Sequence, residues 1–389
     1  MENLYDILGI NLEADEKEIK KAYVTMIRKY PPERAPEEFK KIRKAFDVLI
    51  NPNSRAEYIA RLQYGSDIEE LEKVANEAMD NGNYDLAIDQ YKKILIIEPT
   101  MSFARNSLAL ALIYNGQADE GIEQLLDLVR ENPKNSSYLG NLAYAYKQNE
   151  DFDKAEENFI KALELDSTNE RNLSTFMDIY INKEEYGKAV QYLKKGIENN
   201  STEDFREFVY YYEIVRIHTH DNDAQAIKET IDRVIKVMPK DKELKGYIFW
   251  RFYNLANDLY KSSIFNLAAV IAEKIMKLDE ENRSIINLYE ECIELNHLVQ
   301  EFGKLDNDSR IIRELKYPIF CYLYRFRFSN KKFEESVEKN LNDIDEKILL
   351  DRRDIAKYIK IFIKEYPDLY VLKKELYDNL YARTKYLKK

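Results

Sequence analysis

Apolar residues recur with the spacing of an α-helix along nearly the whole chain. In the first fifty residues they form two stripes. The second covers residues 39–49, and the first consists of Ile19, Ala22, Tyr23, Met26, Ile27 and Tyr30. Two prolines, Pro31 and Pro32, separate the stripes. Each proline lacks a backbone N–H, and the residue before them is pushed out of the helical region. The pattern therefore predicts an antiparallel pair of helices joined by a short break.

Short motifs surround this pair of helices in a fixed order. Residues 4–9 read LYDILG, residues 19–23 read IKKAY, residues 28–30 read RKY, and Asn51-Pro52 and Tyr58 follow the second stripe. The set resembles the J domain of the DnaJ (Hsp40) co-chaperones. This resemblance implies a small antiparallel helical domain over residues 1–64.

The break between the two helices departs from the J-domain pattern. In that family the loop carries His-Pro-Asp, the triplet needed to stimulate ATP hydrolysis by Hsp70. Here the loop reads Pro31, Pro32 and Glu33, so the resemblance implies the fold but argues against the usual activity. Two interpretations of the loop remain open, a plain structural stop and a repurposed contact loop. Any residual docking to Hsp70 is expected to use the basic residues Lys20, Lys21, Arg28 and Lys29.

From residue 67 onward the apolar pattern repeats. Pro99 and Pro133 end successive units and lie 34 residues apart, which is the period of tetratricopeptide (TPR) repeats. Gly82 and Gly116 supply turns between paired helices, because glycine accepts a positive φ without steric cost. We expect about six helix pairs over residues 67–282. The pairs are expected to stack into a superhelix, because one pair cannot bury its apolar face alone.

The composition favours helices throughout. Charged residues make up 34% of the 389 residues, whereas there are only 10 glycines and 9 prolines. The predicted fold class is therefore all-α. A J-like domain occupies residues 1–64, a TPR-like solenoid residues 67–282, and a C-terminal helical region residues 283–389.

In a TPR superhelix the first helix of each pair lines a concave face. The residues that the repeat alignment places there, and that we predict to bind a protein or peptide partner, are Asn76, Phe103, Asn106, Leu110, Ile113, Tyr144 and Lys147. Packing inside the array does not require the apolar members, and an exposed apolar patch usually marks a partner site. The alternative is that a neighbouring segment, such as the C-terminal helices, covers the face.

Some TPR proteins clamp the acidic C-terminal tail of Hsp70 or Hsp90 with a lysine and asparagines. Asn76 matches one of these asparagines, but Glu72 stands at the position expected for the lysine. The clamp is therefore predicted to be incomplete.

The formal net charge is −11, and the acidic residues are concentrated in the middle of the chain, where they would repel a polyanion. The C-terminal region is basic, and Arg325 and Arg327 lie among the aromatic residues of 317–328. This arrangement is typical of surfaces that stack nucleic-acid bases. It is equally typical of a buried helix whose arginines reach water. We expect nucleic-acid binding to be weak or absent.

The sequence carries no catalytic or nucleotide-binding motif. Cys292 and Cys321 lack CxxC spacing, and the histidines are not spaced as metal ligands. We therefore expect no enzyme activity, no cofactor and no metal. The N-terminus enters the first helix pattern directly and no apolar run approaches the ~20 residues of a membrane span, so we expect a cytoplasmic protein without membrane contact.

Three hypotheses about function follow. The first is a non-catalytic interaction scaffold or adaptor, chaperone-related, that binds partners through the TPR face and does not stimulate the Hsp70 ATPase. The second is an Hsp70 co-chaperone with weak J-domain docking. The third is a nucleic-acid-associated regulator that uses the basic C-terminal region.

Overall fold

The computed structural model of the chain describes residues 3–199, 205–325, 339 and 353–386, and within these ranges every regular element is a helix. This confirms the predicted all-α fold class. The chain divides into two compact units, Met1–Ile179 and Tyr180–Lys389. Each unit is described separately below.

The first unit opens with a small helical domain. Its helices are α1 Leu4–Leu8, α2 Glu16–Lys29, α3 Pro36–Ile50 and the first part of α4 Pro52–Asp80. A capping box starts α2, because Asp15 accepts from the Glu18 backbone N–H at 2.8 Å and Glu18 accepts from that of Asp15 at 2.9 Å. The apolar stripes of α2 and α3 face each other and enclose a core that contains Tyr5, Leu8, Ile19, Ile42, Ala45, Leu49 and Tyr58.

The helix α4 is shared between this domain and the repeats. It runs for 29 residues and bends at Tyr64, where φ is −126° and ψ is 23°. The predicted boundary between residues 64 and 67 therefore lies at a kink between two helical segments, and no loop separates them. The last helix of the small domain and the first helix of the first repeat are joined without a loop.

The repeats of the first unit continue as paired helices. They are α5 Tyr84–Ile97, α6 Ser102–Tyr114, α7 Ala118–Glu131, α8 Ser136–Gln148, α9 Phe152–Leu165 and α10 Glu170–Asn182. Gly82 and Gly116 have φ of 71° and 80° at the predicted turns, which confirms their role. Glu150 takes the left-handed conformation at the equivalent turn of the next pair, with φ of 60°.

Polar contacts between successive repeats also recur. The Asn115 side-chain amide donates to Asp85 at 2.9 Å, and 34 residues later the Asn149 amide donates to Asp119 at 3.2 Å. The same bond between neighbouring pairs is thus formed twice at the repeat period, as expected for an array in which each unit contacts its neighbours.

The second unit begins with further paired helices. They are α11 Tyr186–Asn199, α12 Phe208–His220, α13 Ala224–Val237, α14 Lys242–Lys261 and α15 Phe265–Ile275, followed by the short 3-10 helix Met276–Leu278. Gly196 of α11 lies against the Tyr210 ring, so a Cβ there would fall 2.1 Å from Tyr210 Cε1. This glycine therefore allows α11 and α12 to approach closely.

The C-terminal helices share one core. They are α16 Arg283–Asp306, α17 Arg313–Leu323, α18 over residues 353–365, α19 Pro367–Leu372 and α20 Lys374–Tyr386. The core includes Leu298, Ile319, Phe362, Leu369 and Tyr377. The Tyr377 hydroxyl is buried and donates to the Leu315 carbonyl at 2.7 Å. Among the described residues, no helix is both long enough and apolar enough to cross a bilayer.

An ionic cluster fixes the loop between α16 and α17. The Asp308 carboxylate accepts from the Arg310 guanidinium at 2.7 Å and from the Tyr366 hydroxyl at 3.0 Å, and Arg310 also bonds Glu365. The Arg310 guanidinium holds the pKa of the Asp308 carboxyl well below its ordinary range. The cluster thereby joins this loop to the end of α18.

Candidate protein-binding surfaces

The loop between α2 and α3 is a short closed turn. It begins at Tyr30, which has non-helical dihedrals, and the backbone N–H groups of Arg34 and Ala35 donate to the Pro31 carbonyl at 3.0 and 2.9 Å. Pro31 is half-buried, whereas Pro32 and Glu33 are exposed. The tip thus presents a pyrrolidine ring and one carboxylate, and it has no imidazole.

All four basic residues singled out on α2, namely Lys20, Lys21, Arg28 and Lys29, are exposed. Lys21 and Arg28 are seven residues apart and therefore lie on the same side of the helix. Lys20 pairs with Glu16, which lowers the pKa of the Glu16 carboxyl. The Lys29 ammonium lies 5.1 Å from the centre of the Tyr30 ring. This part of α2 offers positive charge to an acidic partner.

The second candidate is the surface formed by the first helix of each repeat in the first unit, which we call the first-helix surface. It lies on the second half of α4 and on α6, α8 and α10. Three of the predicted residues hold neighbours by polar contacts. Asn76 accepts from the Tyr91 hydroxyl at 2.8 Å, and Asn106 accepts from the Asn141 amide at 2.8 Å. Lys147 reaches Asp178 of α10 at 3.2 Å.

The polar contacts on the first-helix surface restrict its charge. The Lys147 side chain is only 17% exposed and is paired with Asp178. It therefore offers little net positive charge to an acidic peptide tail. This agrees with the incomplete clamp that the sequence predicts from Glu72.

Tyr144 belongs to a row of tyrosines that crosses three repeats. The ring centres of Tyr144 and Tyr114 are 5.8 Å apart, and those of Tyr114 and Tyr84 are 5.6 Å apart. Tyr114 is 39% exposed. Burial raises the pKa of the Tyr144 hydroxyl, which, like that of any tyrosine, is protonated at neutral pH and can donate a hydrogen bond. We call Tyr84, Tyr114 and Tyr144 the tyrosine row.

Tyr84 and Tyr114 were missed by the sequence reasoning, although a signal for them exists. The three tyrosines are spaced at intervals of 30 residues, which is one helical turn short of the 34-residue period. Tyr84 begins α5, Tyr114 ends α6 and Tyr144 lies within α8, so the three rings come from non-equivalent positions of successive repeats.

The prediction that Ile113 lies on the partner surface was wrong. Ile113 is 5% exposed and belongs to the core between α6, α7 and α8. The reason is the close approach of α7, where Gly121 leaves space that a Cβ would fill only 2.7 Å from Ile113 Cγ1. Leu110 packs half-buried beside the same core.

Phe103 is half-buried because the first part of α4 reaches it. The Arg61 guanidinium lies 4.6 Å from the centre of the Phe103 ring, within the range of a cation–π contact. Glu57 accepts from the Ser102 backbone N–H at 2.7 Å and from its hydroxyl at 2.6 Å. Met101 at the N-cap has no side-chain acceptor, so Glu57 supplies the missing cap of α6. The small N-terminal domain therefore holds one end of the first-helix surface.

The basic C-terminal segment is partly neutralised. Arg325 donates to the Tyr322 carbonyl and to Glu291, each at 3.2 Å. Arg327 lies outside the described residues. Burial raises the pKa of the Cys292 thiol to about 12, so this thiol is not a reactive thiolate at neutral pH.

Comparison with known proteins identifies two regions of the chain. Residues 3–58 match the DnaJ domain family, and residues 74–200 match the family described as Psidin, N-terminal TPR repeats region. The chaperone protein DnaJ of Halothermothrix orenii is 46% identical over 67 residues, which cover 16% of this chain and 17% of that protein. The chaperone protein DnaJ of Nitrosomonas europaea is 45% identical over 60 residues, which cover 14% of this chain and 16% of that protein. The chain thus spans about a sixth of the length of these relatives.

Solved structures that match part of this chain include TPR proteins. The TPR-like repeats of a putative kinesin light chain from Podosopora anserina are 18% identical, cover 44% of this chain and 94% of that chain, and give a TM-score of 0.36. A tetratricopeptide repeat protein from Parabacteroides merdae is 16% identical. The match covers 71% of this chain and 99% of that chain, with a TM-score of 0.37. From the two family matches, residues 3–58 form a DnaJ domain and residues 74–200 form a TPR-like repeat region.

Proposed function

We propose that this chain is a non-catalytic, chaperone-related adaptor whose J domain does not stimulate the Hsp70 ATPase as DnaJ does. The observation that carries the proposal is the loop at Pro31, Pro32 and Glu33. Its tip presents neither an imidazole nor an aspartate to a partner, whereas the family uses His-Pro-Asp there. The rest of the domain keeps its core and its exposed basic helix, so the scaffold remains intact while the triplet is absent.

A single-turnover ATPase assay with the Hsp70 of the same host tests this proposal. The full chain is expected to leave the rate at its basal value. A variant that carries both Pro31→His and Glu33→Asp restores the family triplet and serves as the matched comparison. Several-fold stimulation by the unaltered chain would contradict the proposal.

The partner site is proposed to be the first-helix surface. Tyr114 on α6 and Tyr144 on α8 supply large apolar rings with polar tips, a combination enriched at protein interfaces. Tyr84, at the start of α5, stacks on Tyr114 from the neighbouring helix. Asn106 carries two amide donors and an oxygen acceptor, of which one lone pair is used by Asn141. Side chains of this kind suit a peptide held in an extended form, because they reach its backbone as well as its side chains.

Replacing both Tyr114 and Tyr144 by serine tests the partner site. Capture of the partner from native lysate by the full chain should be lost, while the circular-dichroism signal stays nearly unchanged. Leu126→Ser is the matched control, since Leu126 is an exposed apolar residue on the second helix of its repeat. If the double variant folds and still captures the partner, the site lies elsewhere.

A second candidate function is weak docking to Hsp70. It is favoured by the exposure of Lys20, Lys21, Arg28 and Lys29. Charge reversal at Lys21 and Arg28 should abolish such binding in a titration at low salt, whereas Lys40→Glu on α3 should not. Equal binding by both variants would exclude α2 as the docking element.

The nucleic-acid hypothesis receives less support. The Arg325 charge is engaged by Glu291, and the acidic middle of the chain opposes a polyanion. We expect no retention of the full chain on oligonucleotides near physiological salt. The cytoplasmic location stays a prediction.

A further inference from the structure

Three potential metal ligands meet between α16 and α19. His297 and Glu301 are four residues apart on α16 and therefore lie on one face of that helix. Asp368, 71 residues beyond His297, is the second residue of α19. His297 Nε2 lies 3.4 Å from Asp368 Oδ2. One donor atom from each of the three residues lies within 4.8 Å of the other two.

Glu301 gives an independent reason to expect a ligand here. Its Oε2 atom is buried and has no hydrogen-bond partner within the part of the chain that the structure describes. A carboxylate oxygen removed from water without a partner is costly. The residue as a whole is half-buried, and one of its carboxylate oxygens belongs to the group of three donors. A bound cation is one group that removes the cost of the unpaired oxygen.

We propose that His297, Glu301 and Asp368 bind a divalent cation of the zinc type. One imidazole nitrogen and two carboxylate oxygens form a donor set that zinc accepts, with water in the fourth position. Two donors bound tetrahedrally at ~2.0–2.1 Å are roughly 3.3 Å apart, which is close to the 3.4 Å between His297 Nε2 and Asp368 Oδ2. All three donors lie within 4.8 Å of one another, so cation binding requires the exposed His297 and Asp368 side chains to move closer to Glu301.

The site would fasten α19 to α16. Both helices contribute to the C-terminal core, through Leu295 and Leu298 on α16 and Leu369 on α19. A cation that binds only the folded chain stabilises it by mass action. Without a cation, His297 and Asp368 form a solvent-exposed pair, and such pairs contribute little to stability. The geometry therefore points to a clip that closes the C-terminal helices rather than to a catalytic centre.

The test uses the full chain after treatment with a chelator and dialysis. Titration with zinc chloride should show one site by calorimetry, and cobalt chloride should produce the visible absorption of a tetrahedral complex. Asp368→Asn and Glu301→Gln should each weaken zinc binding about tenfold or more. Asp368 is 59% exposed, so its substitution does not endanger the core.

His218→Gln is the matched control. His218 forms another histidine–aspartate pair, with Asp221 at 3.0 Å, and no third ligand was found beside it among the described residues. Zinc at a fixed concentration should raise the melting temperature of the unaltered chain and of the control, and should raise that of Asp368→Asn by less. Absence of zinc binding to the unaltered chain, or equal affinity in the Asp368→Asn and His218→Gln variants, would overturn the proposal.

Discussion

The repeats of the first unit and the C-terminal helices of the second are both helical, but they are held together differently. In the repeats the same contact recurs, as in the bonds from Asn115 to Asp85 and from Asn149 to Asp119. The helices of the C-terminal region are instead joined by contacts between distant residues, as when Tyr377 donates to the Leu315 carbonyl 62 residues away. The first region depends on neighbours, whereas the second depends on one shared core. A destabilising substitution should therefore lower the stability of nearby helices only in the repeats, but of all the C-terminal helices in the second unit.

The largest effect is expected at Tyr377. Tyr377→Ala removes a fully buried ring and leaves the Leu315 carbonyl without its donor, and aromatic-to-alanine changes in cores cost about 3–5 kcal/mol. Chemical denaturation of the full chain should show an unfolding transition at a lower denaturant concentration. Tyr377→Phe keeps the ring and removes only the hydroxyl, so its cost should be about 1–3 kcal/mol. Equal loss from both variants would mean that the hydrogen bond, and not the ring, supports the core.

Gly140→Ala should produce a smaller effect in the repeats. A Cβ there would lie 2.1 Å from Oδ1 of the buried Asn172 side chain, and overpacking of this kind costs about 1–3 kcal/mol. Gly65→Ala is the control, because a Cβ at Gly65 meets nothing within 4 Å. The free energy of unfolding from urea titration should fall for the first variant only. A loss that extends to the whole chain would contradict the local character of the repeats.

Asp308 predicts a pH dependence confined to the second unit. The pKa of its carboxyl is held well below its ordinary range by Arg310, so the folded state binds a proton less readily than the unfolded state. The resulting stability is present above the unfolded pKa of about 3.9 and is lost as pH falls through the folded value. Asp308→Asn should destabilise the chain at pH 7, by less than Gly140→Ala does, and should flatten the decline below about pH 4. Thermal melts from pH 7 to pH 2 check this. If the melting temperature of the variant falls with acid as steeply as that of the unaltered chain, Asp308 is not the cause of the pH dependence.

The smallest effect is expected for the recurrent surface bonds. Asn149→Ala removes one exposed bond to Asp119 and should cost no more than about 0.5 kcal/mol. Asn115→Ala, one repeat away, should cost a similar amount, and the two costs should add, because the sites are separate. A double variant measured in urea decides this. A cost well above the sum would show coupling between repeats beyond nearest neighbours.

Local chemistry made much of the fold predictable. Pro31 and Pro32 end α2 because of their own covalent structure, and Gly82 and Gly116 mark turns because those turns need a positive φ. The candidate surface was predicted less well. Ile113 carries the same apolar signal as an exposed residue would, and only the approach of α7 at Gly121 shows that it is buried. Nothing in the sequence around Arg61 predicts its contact with Phe103.

By itself the sequence determined which segments are helical, where the repeats fall and that the J-domain triplet is absent, since each depends on residues close together in the chain. The tertiary structure decided which side chains are covered and which meet. Glu57 caps α6 from 45 residues away, and Asp368 reaches His297 across 71. No periodic pattern encodes such pairs. They follow from the packing of whole helices against one another, which fixes the distance between residues that the chain itself leaves far apart.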